Sequence, residues 1–227
     1  MLIDDRHRDI ARIALAAADR KYEVAFAGGG ALQVHDVTAR RTQDVDLFVR
    51  KARNVPRAAD AIAGALERAG YRVEAVVGDD PGWPSTGHEM REYEVYPPGS
   101  SDPVQVQVAH FAWTGTVATD VGPVVTLDYL AARKTVALLE RHRVRDYVDI
   151  ASLTDAGYTI GQLLSMAFAE DRSLTPEDAG DAGVHLDQAV ADERLARELP
   201  PGKTPTWVRQ ALAAWPREPV HADDPLS

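Results

Sequence analysis

Two aspartates separated by one residue are the part of this sequence best suited to chemistry. Asp44 and Asp46 alternate with Val45, Leu47 and Val49, and successive residues of a β-strand point to opposite faces. Both carboxylates would therefore lie on one face of a strand, with three apolar side chains on the other. Two carboxylates this close repel each other unless a cation lies between them. Mg²⁺ fits best, because it prefers oxygen ligands and substrate phosphates.

A run of three glycines precedes this strand and supplies a second component. Gly28, Gly29 and Gly30 follow the apolar segment 24–27 and precede a segment compatible with a short helix. Backbone N–H groups at such a turn can bind a phosphate. Either component alone would be ordinary, because Asp-x-Asp pairs occur on many solvated strands and a glycine run is usually a turn. Together they predict a site for a nucleotide and a metal ion.

A second group of charged residues lies about 90 residues further along the chain. Lys134 and Arg141 would share one face of a predicted helix, and Asp146 and Asp149 one face of the next. A lysine can neutralise triphosphate oxygens, and an aspartate beside it can orient the lysine or act as a general base. On spacing alone, the better explanation is a set of structural salt bridges that joins the two helices.

Composition limits the class of protein. The 227 residues carry a formal net charge of −10 and no cysteine, which excludes disulfides and thiolate metal sites. No apolar run is long enough to span a membrane, and the charged N-terminus does not resemble a signal peptide, so we expect a cytoplasmic protein. Arginines and lysines nevertheless cluster around the Asp-x-Asp segment and at 133–145, and this clustering favours a polyanionic substrate.

Hydrophobic periodicity and turn residues predict an α+β protein. Residues 1–120 would form an α/β domain with a small mixed sheet, and residues 121–227 an α-helical C-terminal domain. The predicted strands are 24–27, 44–49, 71–77, 89–96 and 104–109, with a loop at 79–87. The predicted helices are 5–20, 30–37, 56–69, 127–140, 144–155, 159–169, one or two within 176–198, and 205–215, with a frayed tail from 216.

The order of these motifs resembles that of the AbiEii/AbiGii-type nucleotidyltransferases. These are toxins of type IV toxin–antitoxin pairs, with the mycobacterial MenT toxins as relatives, within the DNA-polymerase-β-like nucleotidyltransferase superfamily. The similarity covers roughly residues 20–155 and implies a polymerase-β-like fold for the α/β domain. The residues that carry it are Gly28, Gly29, Gly30, Ala31, Leu32, Arg40, Thr42, Asp44, Asp46, Leu47, Lys134, Arg141, Arg145, Asp146 and Asp149.

The resemblance implies transfer of a nucleoside monophosphate from a nucleoside triphosphate to an acceptor hydroxyl. Asp44 and Asp46 would hold Mg²⁺, and Lys134 and Asp149, from the helical domain, would complete the catalytic set. MenT-like relatives modify the 3′ end of tRNA, so tRNA is the expected acceptor and a cognate antitoxin an expected partner. By position, the nucleotide-binding residues would be Gly28, Gly29, Gly30, Arg40, Thr42 and Arg145.

One departure from the superfamily pattern leaves alternatives open. The superfamily carries a third carboxylate on a later strand, whereas the candidate strand here has Gln105 and Gln107. Glu92, Glu94 or Asp149 would have to replace it as the base. One alternative function is nucleotidyl transfer to a small molecule such as an antibiotic, and another is a catalytically weak nucleotide-binding module.

Overall fold

The computed structural model describes residues 4–76 and 90–218. The loop predicted at 79–87 lies outside the described residues, as does the tail after residue 218. The chain divides into two compact units, one formed by Met1–Val34 and Thr42–Thr126 and the other by His35–Arg41 and Leu127–Ser227. They are called the sheet unit and the helical unit below.

A seven-stranded mixed sheet forms the centre of the sheet unit. Its strands lie in the order β3-β4-β5-β2-β1-β7-β6. Strand β2 is parallel to β5, and β1 to β7, while the remaining pairs are antiparallel. The strands are β1 (Val24–Ala27), β2 (Asp44–Val49), β3 (Arg72–Ala75), β4 (Met90–Tyr96), β5 (Val104–His110), β6 (Thr116–Ala118) and β7 (Pro123–Val125).

The five strands predicted from sequence and the mixed character of the sheet are confirmed, whereas β6 and β7 were not predicted. Each of these two strands has only three residues, and β6 is exposed throughout, so neither shows the alternation that reveals a strand. Strand β7 instead pairs with β1 at Phe26 and Val124, a long-range contact with no local signal.

Three helices belong to the sheet unit: α1 (Asp5–Tyr22), α2 (Gly28–Val34) and α3 (Val55–Arg68). Helices α1 and α3 pack against each other and against the sheet, and both bury the apolar residues of one face. On one face of β2, Val45, Leu47 and Val49 are completely buried. The face that carries Asp44 and Asp46 is only partly buried, which leaves it open to chemistry.

Six helices and the segment 35–41 make up the helical unit. Leu130, Leu138, Tyr147, Ile150 and Leu153 are among its fully buried side chains. The predicted helices are confirmed, and the region 176–198 holds two. The helices are α4 (Leu127–Arg141), α5 (Val144–Asp155), α6 (Ile160–Glu170), α7 (Pro176–Ala191), α8 (Leu195–Glu198) and α9 (Pro205–Ala211).

Helix α7 is held in place by two side-chain hydrogen bonds to its backbone. The Tyr147 hydroxyl donates to the carbonyl of Ala182 at 2.7 Å, and the Trp215 indole donates to the carbonyl of Ala179 at 2.9 Å. Gly183 lies at the same contact, where a Cβ would overlap the carbonyl oxygen of Pro216. Within the part of the chain that the structure describes, no helix is long and apolar enough to cross a membrane.

Candidate active site

Strand β2 places the two aspartates as the sequence predicts. Asp44 and Asp46 are partly buried on one face, while Val45, Leu47 and Val49 are buried on the other. Thr42, just before the strand, donates from its hydroxyl to the backbone carbonyl of Asp44 at 3.4 Å. Its observed contact is therefore a support for the start of β2.

Gly28 and Asp46 share one small space, because Ala27 pairs with Asp46 across β1 and β2. Gly28 has φ +64°, a left-handed conformation that favours glycine. A Cβ at Gly28 would overlap the Asp46 carboxylate, and a Cβ at Gly30 would overlap the ring of Phe26. The glycine turn therefore lies directly against one of the two predicted metal ligands.

The register of the sheet extends the polar face beyond β2. Asp46 is opposite Gln107 on β5, and Gln107 is opposite Glu92 on β4. Gln107 donates from its side-chain amide to the Glu92 carboxylate at 3.4 Å. One row of side chains thus runs Asp46, Gln107, Glu92, with a glutamine where a third carboxylate beside Asp46 would stand.

A neighbouring row repeats this pattern with different partners. Asp44 is opposite Gln105, which is opposite Glu94. The Glu94 carboxylate accepts a hydrogen bond from the Tyr96 hydroxyl at 2.6 Å, and the guanidinium of Arg72 lies over the Tyr96 ring at 3.6 Å. Glu94 is therefore engaged by a strong donor, whereas Glu92, within the described residues, accepts a single long hydrogen bond.

The donor set on this face fits Mg²⁺ with a phosphate substrate. Within residues 4–76 and 90–218, no three histidine, aspartate or glutamate side chains converge on a metal-sized site. Asp44 and Asp46 supply two carboxylates, and Mg²⁺ is commonly held by one or two carboxylates together with substrate phosphates. The adjacent Gln107 amide adds a neutral oxygen, which can also act as a ligand for a hard cation.

In the helical unit, two positively charged side chains converge on Asp149, which is fully buried. Arg40 donates from Nε to Oδ1 at 2.9 Å and from Nη2 to Oδ2 at 3.2 Å. Lys134 Nζ lies 2.7 Å from Oδ2. Arg40 also donates from Nη1 to Glu198 at 3.2 Å, so that α4, α5, α8 and the segment 35–41 meet at one ion-pair cluster.

The protonation of Asp149 is set by these cations. Burial acts to raise the pKa of Asp149, but the charges of Arg40 and Lys134 outweigh burial and hold the pKa well below its usual range. Both carboxylate oxygens already accept hydrogen bonds. The sequence leaves two roles open for Asp149, and orienting Lys134 agrees with these contacts better than acting as a general base. A general base works best when its pKa is near the working pH, and the pKa of Asp149 is held far below that.

A second buried aspartate joins α4 to α5. Asp146 is fully buried and accepts two hydrogen bonds from Arg141, from Nε at 2.9 Å and from Nη2 at 2.7 Å. It also accepts one from the backbone N–H of Arg143 at 3.3 Å. This is the structural salt bridge between two helices that the spacing favoured.

The sequence predicted most of these site residues but not all of the residues that contact them. Asp44, Asp46 and the glycines meet in the sheet unit, while Arg40, Lys134 and Asp149 meet in the helical unit. Arg145 lies at the start of α5 beside Asp146. Glu198 was missed because it lies 158 residues from Arg40, and a single glutamate in a short helix carries no local signal.

Comparisons with known proteins relate the chain to one family and to several solved structures. A family model described as nucleotidyl transferase AbiEii toxin, type IV TA system, matches residues 11–214. No curated protein sequence matches the chain. The crystal structure of JHP933 from Helicobacter pylori is similar with a TM-score of 0.59 and 11% identity, over 93% of this chain and 88% of that chain.

MenT4, a nucleotidyltransferase toxin from Mycobacterium tuberculosis H37Rv, is also similar. Its TM-score is 0.51 at 14% identity, over 92% of this chain and 81% of that chain. At these identities the structural likeness shows a shared fold, and the family match carries the relationship in sequence.

Proposed function

We propose that this chain, which belongs to the AbiEii family of nucleotidyltransferase toxins of type IV toxin–antitoxin systems, transfers a nucleoside monophosphate to the 3′ hydroxyl of a tRNA. The family match and the fold of the sheet unit make the chain a nucleotidyltransferase. The pair Asp44 and Asp46 on one open face of β2 carries the proposal of a metal-dependent reaction.

The reaction would be an in-line displacement at the α-phosphorus of the triphosphate. The acceptor oxygen forms a new bond to phosphorus, the bond to the bridging oxygen breaks, and pyrophosphate leaves. Mg²⁺ bound by Asp44 and Asp46 would neutralise the charge that develops on the phosphate and orient it. Gly28 keeps the Asp46 side chain close to the glycine turn, where Gly29 and Gly30 would approach the phosphates.

The acceptor hydroxyl must lose a proton, and of the two glutamates beside the predicted metal pair, Glu92 is the better candidate, because Glu94 already accepts a short hydrogen bond from Tyr96. Gln105 and Gln107 are amides and cannot accept a proton. Glu92 lies two strands from Asp46, about 10 Å away along the sheet, in the same row and on the same face. Among the described residues its carboxylate accepts a long hydrogen bond from Gln107 alone, which leaves it able to accept a proton directly or through a water molecule.

The helical unit would contribute Lys134, with Asp149 and Arg40 as positioning residues. Lys134 is mostly buried and paired with Asp149 at 2.7 Å, so its ammonium group is held in one place. A fixed cation costs less entropy to engage with a phosphate than a mobile surface lysine does. Lys134 would stabilise the triphosphate charge, and a cognate antitoxin and a nucleoside triphosphate are the partners that this family implies.

The test of the proposed function is transfer of label from each α-³²P nucleoside triphosphate, in the presence of Mg²⁺, into total RNA. We expect label in a tRNA-sized band from the wild-type chain, and at least a hundredfold less from Asp46→Asn. Asp102→Asn, at an exposed aspartate in the turn between β4 and β5, is the matched control and is expected to transfer normally.

Two other outcomes would overturn the choice of acceptor or the reaction. Labelled pyrophosphate released from γ-³²P triphosphate only when small hydroxylated molecules are added would assign a small-molecule acceptor. Nucleotide binding with no transfer to any acceptor would assign a non-catalytic binding module.

A further inference from the structure

A cleft in the helical unit includes Arg145, which the resemblance assigns to nucleotide binding, and Glu198 of the ion-pair cluster, while its other lining residues have no role in the reaction assigned so far. It has a volume of about 570 Å³ and is bordered by the turn between α4 and α5, by α7, and by the start of α8. Four arginines line it together with two histidines and two carboxylates. We call it the arginine cleft; the residues used below are Arg141, Arg143, Arg194, His142, His185 and Glu198.

Two of the arginines are fixed in position by carboxylates. Arg141 is held by two hydrogen bonds to buried Asp146 through Nε and Nη2, and Arg194 is held in the same way by Asp192. In both pairs Nη1 donates to no residue in the described part of the chain, so each guanidinium keeps donors for another acceptor. An anchored guanidinium is well suited to the planar oxygens of a phosphate.

Arg143 differs from Arg141 and Arg194 because no carboxylate among the described residues pairs with its side chain. Its side chain is exposed and forms no ion pair with any residue in the described part of the chain. Its backbone N–H is bonded to Asp146, which fixes the turn and therefore the direction from which the side chain enters the cleft. An arginine in this state is available to an anionic ligand.

The two histidines form a flat aromatic wall beside these cations. The rings of His142 and His185 are stacked, with centroids 4.8 Å apart and planes 15° apart. His142 has φ +49° and its buried Nε2 has no hydrogen-bond partner among the described residues, while burial lowers its pKa. His185 is exposed, and its Nδ1 lies 2.8 Å from the carbonyl oxygen of Asp181, so its ring is held at the surface of the cleft.

Cations that bind phosphate beside an aromatic platform are the features by which proteins bind single-stranded nucleic acid. We infer that the arginine cleft binds one nucleotide of the RNA acceptor, with a backbone phosphate on the arginines and the base against His185. The inference rests on the proposed function and specifies where the acceptor is held.

The charge of the lining favours an RNA acceptor over the free triphosphate as the ligand, and a chain of contacts places the cleft beside the ion-pair cluster. The lining holds four arginines against two carboxylates, a small positive excess that suits singly charged phosphodiesters better than a triphosphate. Glu198 also links the cleft to the ion-pair cluster, because it lines the cleft and accepts a hydrogen bond from Arg40. Arg40 binds Asp149, which binds Lys134, so the cleft adjoins the lysine proposed to act on phosphate.

The test measures binding of fluorescently labelled bulk tRNA directly, without transfer. Arg143→Gln and His185→Ala are each expected to weaken binding about tenfold. Arg143→Gln is also expected to reduce the slope of log K against log salt concentration by about one, because one phosphate contact is lost. His185→Phe keeps an aromatic ring and is expected to bind tRNA as the wild type does. Arg172→Gln, at an exposed arginine of the same unit, is the matched control.

Steady-state transfer then separates the two sources of the nucleotide. The inference predicts a higher KM for tRNA in both variants, with kcat and the KM for the triphosphate unchanged. Unchanged tRNA binding would overturn it. A raised KM for the triphosphate alone would also overturn it, by assigning the cleft to the free nucleotide.

The failure of this inference is distinguishable from failure of the proposed function. If the wild type binds tRNA through these residues but transfers nothing, the proposed function is contradicted and the cleft assignment stands. If the wild type transfers label to tRNA while the variants bind tRNA normally, the proposed function stands and the cleft assignment is contradicted.

Discussion

Gly28 and Asp46 are so close that the glycine controls where the carboxylate lies. Gly28→Ala is expected to displace Asp46 and reduce nucleotidyl transfer at least a hundredfold, because a Cβ there would overlap the carboxylate. Gly99→Ala is the matched control, since Gly99 also has a positive φ but has open space around it. Both changes carry a backbone cost of about 1 kcal/mol. Equal transfer by the two variants would show that Asp46 does not depend on Gly28.

Asp149 is expected to matter for stability as well as for positioning Lys134. Asp149→Asn leaves two buried cations without their counterion and is expected to lower the free energy of unfolding by about 3–5 kcal/mol. Asp155→Asn on the same helix removes a half-exposed partner of Lys203, and its expected cost is below about 1 kcal/mol. Urea unfolding at pH 7 measures both, and similar losses would contradict the account.

The same ion pairs predict how stability depends on pH. The pKa of Asp149 is lower in the folded chain than in the unfolded chain, where it is about 3.9. Its contribution is therefore fully present above about pH 5 and is lost as the pH falls through the unfolded value towards the folded one. Urea unfolding between pH 7 and pH 3 should show a steeper loss in the wild type than in Asp149→Asn. Parallel curves would contradict this assignment.

The register between β2 and β5 predicts how a carboxylate at position 107 would change the melting temperature with and without Mg²⁺. Gln107 lies opposite Asp46, about 5 Å away along the sheet, so Gln107→Glu adds a like charge beside the predicted metal ligands. Without metal the melting temperature should fall by several degrees, and Mg²⁺ should restore it more than it shifts the wild type. Gln210→Glu, at an exposed glutamine of α9, is the control. A melting temperature insensitive to Mg²⁺ would contradict the metal site.

Two helical glycines should respond in opposite directions to the same substitution. Gly183→Ala would push a methyl group into the carbonyl of Pro216 and is expected to destabilise the chain by about 1–3 kcal/mol. Gly161→Ala in α6 has nothing within 4 Å and is expected to stabilise it by about 0.5–1 kcal/mol. Urea unfolding measures both signs, and a stabilising Gly183→Ala would show that α7 can move away from Pro216.

The elements of this fold were largely predictable because their signals are local. The alternation in β2 and β5 and the amphipathic helices of the second half follow from hydrophobic periodicity. Strands β6 and β7 were missed because three residues carry no period. The membership of 35–41 in the helical unit also has no local signal, since it depends on Arg40 reaching an aspartate 109 residues away.

The candidate site was predictable to the extent that its chemistry is concentrated in short motifs. Asp44, Asp46 and the glycines lie within 19 positions of one another, and strand alternation alone places both carboxylates on one face. The hydrogen bond between Gln107 and Glu92 depends on which residues face each other across β4 and β5, and the sequence does not determine that register. The arginine cleft likewise combines residues from 141 to 198 that meet only after folding.

At the scale of the whole molecule, the two units carry different groups that the proposed reaction needs. The sheet unit carries the carboxylates and the glycine turn, and the helical unit carries the ion pairs of Arg40 and Lys134 with Asp149 and the arginine cleft, on a chain that is acidic as a whole. A chain with a net charge of −10 gains RNA affinity only where arginines are concentrated. We expect its tRNA binding to weaken steeply with salt, and binding independent of salt would contradict this view.

The central claim is that Asp44 and Asp46 bind the metal ion that drives nucleotidyl transfer. The most direct measurement is the rate of transfer from the α-³²P triphosphate as Mg²⁺ is titrated into metal-free enzyme, for the wild type, Asp44→Asn and Asp46→Asn. We expect no transfer without Mg²⁺, a saturating rise in the wild type, and losses of at least a hundredfold in both variants. Transfer at an undiminished rate in excess EDTA, or by both variants, would contradict it.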